Sequence, residues 1–253
     1  MVLKLHGFPL STCTRRVRTV LAEKGLEAEF HSVDLAKGEQ RAESYLNDLH
    51  PFGKVPVLQD TETGVQIFGI QFPTNCLIDN NMLTYINQTE SRAINQYISS
   101  KYASQGPTLS PPESDLKAWA LYQQACRHPC QRTSYIANEM QALSIEQSYF
   151  DPIVSQIAFE KVFKARKGLG ETDEARVKVL FSQLTPVLEG YERVLSKHKY
   201  LAGDQVTLAD LAHLPYGVFV EQFGFADLLP KYPHVQKWWE ELKARESWKK
   251  VTA

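Results

Sequence analysis

The stretch FPLSTCTRRV, residues 8–17, lies between a short apolar run and a segment with helical periodicity. Before it, VLKLHGF alternates apolar and polar residues, as β-strands commonly do. After it, Val17, Val20 and Leu21 recur on one face of a predicted helix that ends at a Lys-Gly pair. The stretch therefore predicts a strand that leads directly into a helix, with two hydroxyls and a thiol at the helix N-terminus.

The rest of the N-terminal part continues this alternation of strands and helices. A second strand is predicted over 27–35, two short strands over 54–60 and 64–68, and a helix over 90–102. A polar, helical to irregular stretch lies between the second and third strands. The order βαβαββα predicts an α/β domain at residues 1–101.

A Pro/Ser-rich linker at 102–112 separates this domain from a part of the chain that has only helical patterns. Residues 113–253 are therefore predicted to form an all-α domain. Within it, TLAD at 207–210 matches a capping box at a helix start. The neighbouring tryptophans Trp238 and Trp239 are expected to serve packing rather than a ligand site.

Composition excludes several classes of function. The net charge of -1 provides no electrostatic reason to expect nucleic acid or an anionic membrane as a partner. No apolar run approaches the roughly 18 residues of a membrane span, and the start lacks the apolar stretch of a signal peptide. Four cysteines in 253 residues do not indicate a disulfide framework. We therefore expect a cytoplasmic protein with small-molecule partners.

Five motifs, in the same order as in the family, resemble the glutathione S-transferases, in particular the phi-type and fungal phi-like members. They extend over nearly the whole chain and read FPLSTCTRRV, HPFGKVPVL, ESRAINQYI, FEKVFK and KYLAGDQVTLADLAHLP. The resemblance implies a thioredoxin-like N-terminal domain that binds glutathione. It also implies an all-α C-terminal domain that supplies much of the electrophile pocket, glutathione as co-substrate, no metal, and a homodimer.

The resemblance assigns the glutathione-binding residues one by one. Val55 and Pro56 match the family's Val-cis-Pro step, which presents the backbone of Val55 to the cysteinyl part of glutathione. Glu90 and Ser91 match the pair that holds the γ-glutamyl ammonium and carboxylate, and a serine near a helix N-terminus suits the carboxylate. At the position of Gln40, near the predicted site of the glycyl carboxylate, plant members of the family commonly have a histidine. The residues matched to that region are Lys54, Gln40 and, beside them, Arg41.

Ser11 stands at the family's catalytic serine position. The thiolate is the nucleophile, and a thiol is mostly protonated near neutral pH, so a hydrogen bond from Ser11 and the helix N-terminus would both favour the reactive form. Thr12 is an alternative or auxiliary donor, and either hydroxyl could instead cap the helix. Cys13 leaves a redox alternative open, because family members with cysteine at the serine position form mixed disulfides. Arg15 and Arg16 are expected on the helix face, where one could help to hold the site.

The leading prediction is a glutathione S-transferase whose thiolate attacks an electrophilic carbon of a small hydrophobic substrate. The residues predicted to line the electrophile pocket are Leu10, Leu35, Trp119, Tyr122 and Phe159. A second hypothesis is a glutathione-dependent isomerase that adds the thiolate reversibly to a conjugated double bond of a secondary metabolite and converts it from trans to cis. A third is a non-catalytic ligand-binding or structural module, against which the intact Ser11 and Glu90-Ser91 argue.

Two segments depart from the family's pattern. Residues 69–89 separate QIF from ESRAI, which adjoin in the family, and residues 126–143 interrupt a predicted helix. We interpret both as translated introns, because removing the first restores QIFESRAI in frame; the alternative is genuine loops or a lid. If present, residues 69–89 could obstruct the dimer interface. The CRHPC motif at 126–130 lacks a fourth ligand at a standard zinc spacing, so no zinc site is predicted.

Overall fold

The structure, a computed structural model, describes residues 2–68, 91–110 and 145–253. The contacts within the chain divide it into two units, Met1–Ile98 and Ser99–Ala253. In the described residues, the first unit combines a sheet with helices and the second is helical. This confirms the predicted combination of an α/β domain and an all-α domain.

Across the residues that the structure describes, a four-stranded mixed sheet organises the N-terminal unit. The strands lie in the order β2-β1-β3-β4, with β1 parallel to β2 and antiparallel to β3, and β3 antiparallel to β4. Because β1 and β2 are parallel, the chain must cross over between them, and the helix that follows the opening stretch makes this connection. The strands are β1 Leu3–Gly7, β2 Ala28–Ser32, β3 Val57–Asp60 and β4 Val65–Phe68.

In the described residues, three α-helices and one 3₁₀ turn accompany this sheet. They are α1 Thr12–Glu23, the 3₁₀ turn Glu39–Arg41, α2 Glu43–Asp48 and α3 Ser91–Lys101. In the described residues, the order β1-α1-β2-α2-β3-β4-α3 confirms the predicted βαβαββα. The apolar residues that predicted the faces of α1 and α3 are buried: Val17, Val20, Ile94 and Ile98 are fully buried, and Leu21 is nearly so.

The end of β1 and the start of α1 approach each other closely at Gly7. A Cβ added to Gly7 would lie 2.7 Å from Cγ2 of Thr14, whose side chain is fully buried. The turn is closed by a hydrogen bond of 2.9 Å from the Ser11 N–H to the Phe8 carbonyl. Only glycine therefore fits this strand-to-helix turn without a shift, and the turn places Ser11 directly before α1.

The described part of the C-terminal unit consists of helices and the loops between them. Its α-helices are α4 Asp151–Ala158, α5 Lys164–Arg166, α6 Glu174–Leu195, α7 Leu208–Val220, α8 Ala226–Leu228, α9 Pro233–Lys243 and α10 Glu246–Thr252. Single turns of π- or 3₁₀-helix adjoin them at Glu146–Phe150, Phe159–Phe163, Glu221–Phe225 and Leu229–Lys231. Within the described ranges, no helix has the length and apolar character that crossing a membrane requires.

The predicted capping box is present at the start of α7, and its carboxylate also joins other elements. Asp210 accepts hydrogen bonds from the backbone N–H and the hydroxyl of Thr207, at 2.9 and 3.0 Å. It also accepts from the backbone N–H of Leu201 at 3.0 Å and from Nε1 of Trp238 at 2.9 Å. Asp210 and Trp239 are fully buried and Trp238 is nearly so, which confirms the packing role of the two tryptophans.

Some predictions concern residues outside the described ranges. These are the two candidate insertions, 69–89 and 126–143, and the CRHPC motif at 126–130. Three predicted site residues, Glu90, Trp119 and Tyr122, also lie outside them. All of these stay predictions from the sequence.

Candidate active site

Ser11 is the N-cap residue of α1. Its backbone is extended, with φ -67° and ψ 129°, and its Oγ accepts a long hydrogen bond of 3.4 Å from the N–H of Thr14. The capping interpretation is therefore correct for Ser11, whereas Thr12 is already the first residue of the helix. Because the oxygen is the acceptor in this contact, the hydroxyl hydrogen of the partly exposed Ser11 remains available to donate to a ligand.

The N-terminal half of α1 is basic. Arg15, Arg16 and Arg18 lie within two turns of Ser11, and no acidic residue occupies the first turn of α1. Burial lowers the pKa of Arg15, and the positive charge of the neighbouring Arg18 lowers it further. A helix N-terminus already favours negative charge, and the arginines increase that preference. The surroundings of Ser11 therefore suit an anion such as a thiolate.

Cys13 lies in the first turn of α1 and is partly buried. It is two residues beyond Ser11, so it does not occupy the N-cap position that the family's serine holds. The structure thus places Ser11, and not Cys13, at the N-cap of the helix. The redox hypothesis for Cys13 is not tested by this placement.

The peptide bond between Val55 and Pro56 is cis, as the resemblance implies. The hydroxyl of Tyr45, on α2, donates to the carbonyl of Lys54 at 2.8 Å and holds the chain just before this step. Within the described residues, no hydrogen bond uses the backbone N–H or C=O of Val55. Both groups are thus available to an extended ligand that runs alongside β3.

The residues predicted around the glycyl carboxylate come from two neighbouring segments. Gln40 and Arg41 belong to the 3₁₀ turn, and the carbonyl of Gln40 lies 2.7 Å from where a Cβ on Gly53 would stand. Gly53 has φ +60° and precedes Lys54, so the turn and the Lys54 segment are in close contact. Lys54 and Arg41 are exposed, whereas Oε1 of Gln40 is buried without a hydrogen-bond partner in the described residues. The structure brings these segments together.

Ser91 is the first residue of α3, and its hydroxyl is bound by an arginine from α1. Nη1 of Arg16 donates to Oγ of Ser91 at 2.9 Å, and both side chains are fully buried. Nδ2 of Asn95 also donates to the carbonyl of Arg16 at 3.5 Å. Of the two arginines expected on the helix face, Arg16 is fully buried, whereas Arg15 is only partly buried. The sequence shows the arginine pair, but it does not show which of the two side chains is buried.

The electrophile pocket stays a prediction. Leu10 is 64% exposed, and Leu35 packs against the cluster of Val33, Tyr45 and Val57 in the N-terminal unit. Leu35 therefore contributes in part to the core of the N-terminal unit, whereas the sequence placed it only in the electrophile pocket.

Phe159 belongs to the C-terminal unit, where Nζ of Lys167 lies 5.7 Å from its ring centroid. The C-terminal unit contains an apolar cavity of about 620 Å³ between the start of α4 and α6, but Phe159 does not line it. Among the described residues, no cluster of three or more His, Cys, Asp or Glu side chains is arranged to hold a metal ion.

Comparisons with known proteins identify both units. Residues 10–101 match the model of the glutathione S-transferase N-terminal domain, and residues 150–246 match that of the C-terminal domain. The glutathione S-transferase PM239X14 of Arabidopsis thaliana is 40% identical over 94% of this chain and 90% of its own length. The glutathione S-transferase hmp2 of the fungus Hypomyces subiculosus is 38% identical over 100% of this chain and 99% of its own.

A solved structure supports the same relationship. The glutathione transferase F7 of Populus trichocarpa superposes with a TM-score of 0.78, at 32% identity over 99% of this chain and 98% of that one. The alignment thus spans both units, as the sequence motifs had indicated.

Proposed function

We propose that Ser11 activates the glutathione thiol, because the chain belongs to the glutathione S-transferase family. Its relatives include phi-class members, and it is a transferase that uses glutathione. The Ser11 hydroxyl donates a hydrogen bond to the thiolate, which attacks an electrophilic carbon of a small hydrophobic substrate. The observation that carries this proposal is the placement of Ser11 at the N-cap of α1, with its oxygen accepting from Thr14.

The free energies of the two interactions are large enough for Ser11 and the helix N-terminus to stabilise the thiolate. A hydrogen bond to a charged acceptor contributes about 1.5–3 kcal/mol, which lowers a thiol pKa by roughly one to two units. The helix N-terminus adds about 0.3–1 kcal/mol. Starting from a thiol pKa of about 8.5, the sum makes the thiolate the dominant form near pH 7. Serine stabilises the anion without becoming the nucleophile.

The remaining predicted residues hold the tripeptide in the orientation that this attack requires. The backbone of Val55, before cis Pro56, pairs with the cysteinyl part, and Ser91 donates to the γ-glutamyl carboxylate. Glu90 accepts from the γ-glutamyl ammonium. The groups around the glycyl carboxylate are Lys54, Gln40 and Arg41. The proposal is supported by the open backbone groups of Val55 and by the contact between the Gln40 turn and Gly53.

Thiolate absorbance tests the role of Ser11. We expect the ultraviolet difference spectrum of bound glutathione to show thiolate near pH 7, and Ser11→Ala to raise the thiol pKa by about one to two units. At pH 7, kcat/KM should fall about 10- to 100-fold in this variant. The matched controls are Thr12→Ala and Cys13→Ala, which should change kcat/KM by less than about threefold. An unchanged pKa in Ser11→Ala would contradict the proposal, and inactivation by Cys13→Ala would favour redox chemistry.

The mass of the product distinguishes the two reactions that the same thiolate can perform. Conjugation forms a sulfur–carbon bond that persists, so the product gains the tripeptide. Isomerisation forms and then breaks that bond, so glutathione is regenerated and the substrate mass is unchanged. We propose conjugation, on a pocket that includes Leu10, Leu35, Trp119, Tyr122 and Phe159.

We further propose a cytoplasmic homodimer that requires no metal, since these properties accompany the family resemblance. Activity should then be unaffected by dialysis against a chelator. The mass in solution should correspond to two chains, unless residues 69–89 obstruct the interface.

A further inference from the structure

The hydroxyl of Tyr45 holds the peptide group that lies just before the cis proline. It donates from α2 to the carbonyl of Lys54 at 2.8 Å. The ring of Tyr45 packs in the apolar cluster with Val33 and Val57, and the residue is only 7% exposed. Because side chains in a packed cluster occupy defined positions, the packing of the ring also fixes the position of its hydroxyl.

The helix that carries Tyr45 is itself held to the sheet. Nε2 of Gln66, on β4, donates to the carbonyls of Asp48 and Leu49 at the end of α2, at 3.0 and 3.1 Å. The last carbonyls of a helix have no partner within the helix, so Gln66 supplies one from the neighbouring strand. Tyr45 therefore donates its hydrogen bond from a helix whose position is fixed.

The hydrogen bond to the Lys54 carbonyl also sets the direction of the following N–H. Among the described residues, the bond between Val55 and Pro56 is the one that is cis, so the bond between Lys54 and Val55 is trans. The C=O and the N–H of a planar trans peptide group point in opposite directions. Because the Lys54 carbonyl points at Tyr45 on α2, the N–H of the partly exposed Val55 points away from that helix.

We propose that Tyr45 is a positioning residue for the cysteinyl part of glutathione. It fixes the peptide group between Lys54 and Val55 so that the Val55 N–H faces the ligand's cysteinyl carbonyl, the acceptor that the backbone of a cysteinyl residue offers. This inference rests on the proposed function, in which the backbone of Val55 pairs with the cysteinyl part. Tyr45 acts through this peptide group and does not touch glutathione itself.

A purely structural role for Tyr45 makes a different prediction. If its hydroxyl only joined α2 to the Lys54 segment, its removal would weaken the binding of every glutathione analogue to the same degree. If it orients the Val55 N–H, the loss is confined to ligands that carry the cysteinyl carbonyl. An analogue that lacks this one acceptor therefore separates the two roles.

The test compares two ligands on the full chain by titration calorimetry. One is S-hexylglutathione, and the other is its (E)-alkene isostere, in which a carbon–carbon double bond replaces the amide between cysteine and glycine. For Tyr45→Phe we expect S-hexylglutathione to bind about 3- to 10-fold more weakly, and the isostere to bind within about 1.5-fold of wild type. In turnover, KM for glutathione should rise by about the same factor while kcat changes by less than about threefold, because Ser11 is unchanged.

The matched control is Tyr97→Phe, which removes a tyrosine hydroxyl from another part of the same unit. The hydroxyl of Tyr97 donates to Oδ2 of Asp60 at 2.7 Å and lies 2.9 Å from Oγ1 of Thr63. Both substitutions should lower the urea midpoint, since each removes a hydrogen bond and retains the ring. Tyr97→Phe should leave the affinity for both ligands within about 1.5-fold of wild type.

A second measurement follows the amide proton of Val55 by NMR. A hydrogen bond to the cysteinyl carbonyl should move its resonance downfield when wild type binds S-hexylglutathione, and the isostere should cause no such shift. In Tyr45→Phe the downfield shift should be smaller at saturating ligand. An undiminished shift in this variant would show that the N–H keeps its direction without the tyrosine hydroxyl, and would overturn the inference.

The outcomes separate this inference from the proposed function. If wild type binds S-hexylglutathione but Tyr45→Phe loses affinity for both ligands equally, or for neither, the inference alone is overturned. The same holds if wild type binds the two ligands equally well, because the cysteinyl carbonyl then has no partner. If wild type binds neither ligand, the proposed function fails, and the inference fails with it.

Discussion

At the scale of single residues, two helix glycines of the C-terminal unit differ in the space that is available for an added Cβ. A Cβ on Gly217, in α7, would overlap Cη2 of the fully buried Trp239, whereas a Cβ on Gly190, in α6, would meet no atom of the described residues within 4 Å. Gly217 therefore allows the tryptophan ring to pack directly against the helix backbone. Within the part of the chain that the structure describes, nothing packs closely against Gly190, so this glycine only lowers the helix propensity.

These glycines give matched substitutions with opposite expected signs. We expect Gly217→Ala to lower the free energy of unfolding by about 1–3 kcal/mol, because the ring or the helix must shift. Gly190→Ala should raise it by roughly 0.5–1 kcal/mol, since the backbone loses less conformational entropy on folding. Urea unfolding followed by tryptophan fluorescence measures both values. Equal effects of the two substitutions would show that Trp239 accommodates the methyl group.

The sheet of the N-terminal unit carries a pair of histidines on neighbouring strands. His6 on β1 and His31 on β2 stack with ring centroids 4.6 Å apart, and Nε2 of His6 lies 3.0 Å from Oε1 of Gln59. Burial lowers the pKa of His6; the hydrogen bond to Gln59 opposes this, while the nearby charges of His31 and Lys4 add to it. The folded state therefore favours neutral His6.

Because the pKa of His6 is lowered, we expect the stability of the fold to decrease as the pH decreases. Below the ordinary histidine pKa of 6.5, the unfolded chain binds a proton at His6 more readily than the folded chain. The contribution of His6 is therefore present above pH 6.5 and is lost as the pH falls through the lower folded-state pKa. We expect the urea midpoint to fall from pH 7.5 to pH 5.5, and to fall less in His6→Gln. The matched control is His198→Gln, at an exposed histidine after α6, and an identical fall in wild type and His6→Gln would disprove the link.

At the scale of the whole molecule, the open question is how residues 69–89 affect the site. In the family's pattern, QIF runs directly into ESRAI, so this segment precedes the two residues predicted to hold the γ-glutamyl group. Ser91 has no exposed surface, so glutathione must gain access to its hydroxyl. Deleting the segment restores the family's order without changing any residue proposed for binding.

We therefore expect the chain without residues 69–89 to bind S-hexylglutathione at least about tenfold more tightly than the full chain. Its mass by light scattering should correspond to two chains, since the proposed obstruction of the dimer interface is removed. The control is the full chain measured in the same buffer and at the same concentration. A transcript that retains the codons for 69–89, together with unchanged affinity on deletion, would identify the segment as a genuine part of the protein.

The sequence by itself determined the order of elements and the family. Periodicity predicted the βαβαββα order because apolar residues at helical or alternating spacing have few other ways to be buried. Turn and cap signals were equally direct: the capping box at 207–210 and the N-cap at Ser11 depend on hydrogen bonds between residues only three apart. Motifs in the right order then indicated the candidate residues, including cis Pro56.

Only the tertiary structure decided which side chains meet. Arg15 and Arg16 are indistinguishable in the local pattern, yet Arg16 is fully buried and hydrogen-bonded to Ser91, whereas Arg15 is only partly buried. The sequence likewise predicted the capping role of Asp210 but not its hydrogen bond to Trp238. Contacts between residues far apart in the chain depend on how elements pack, and a local pattern contains no information on that packing.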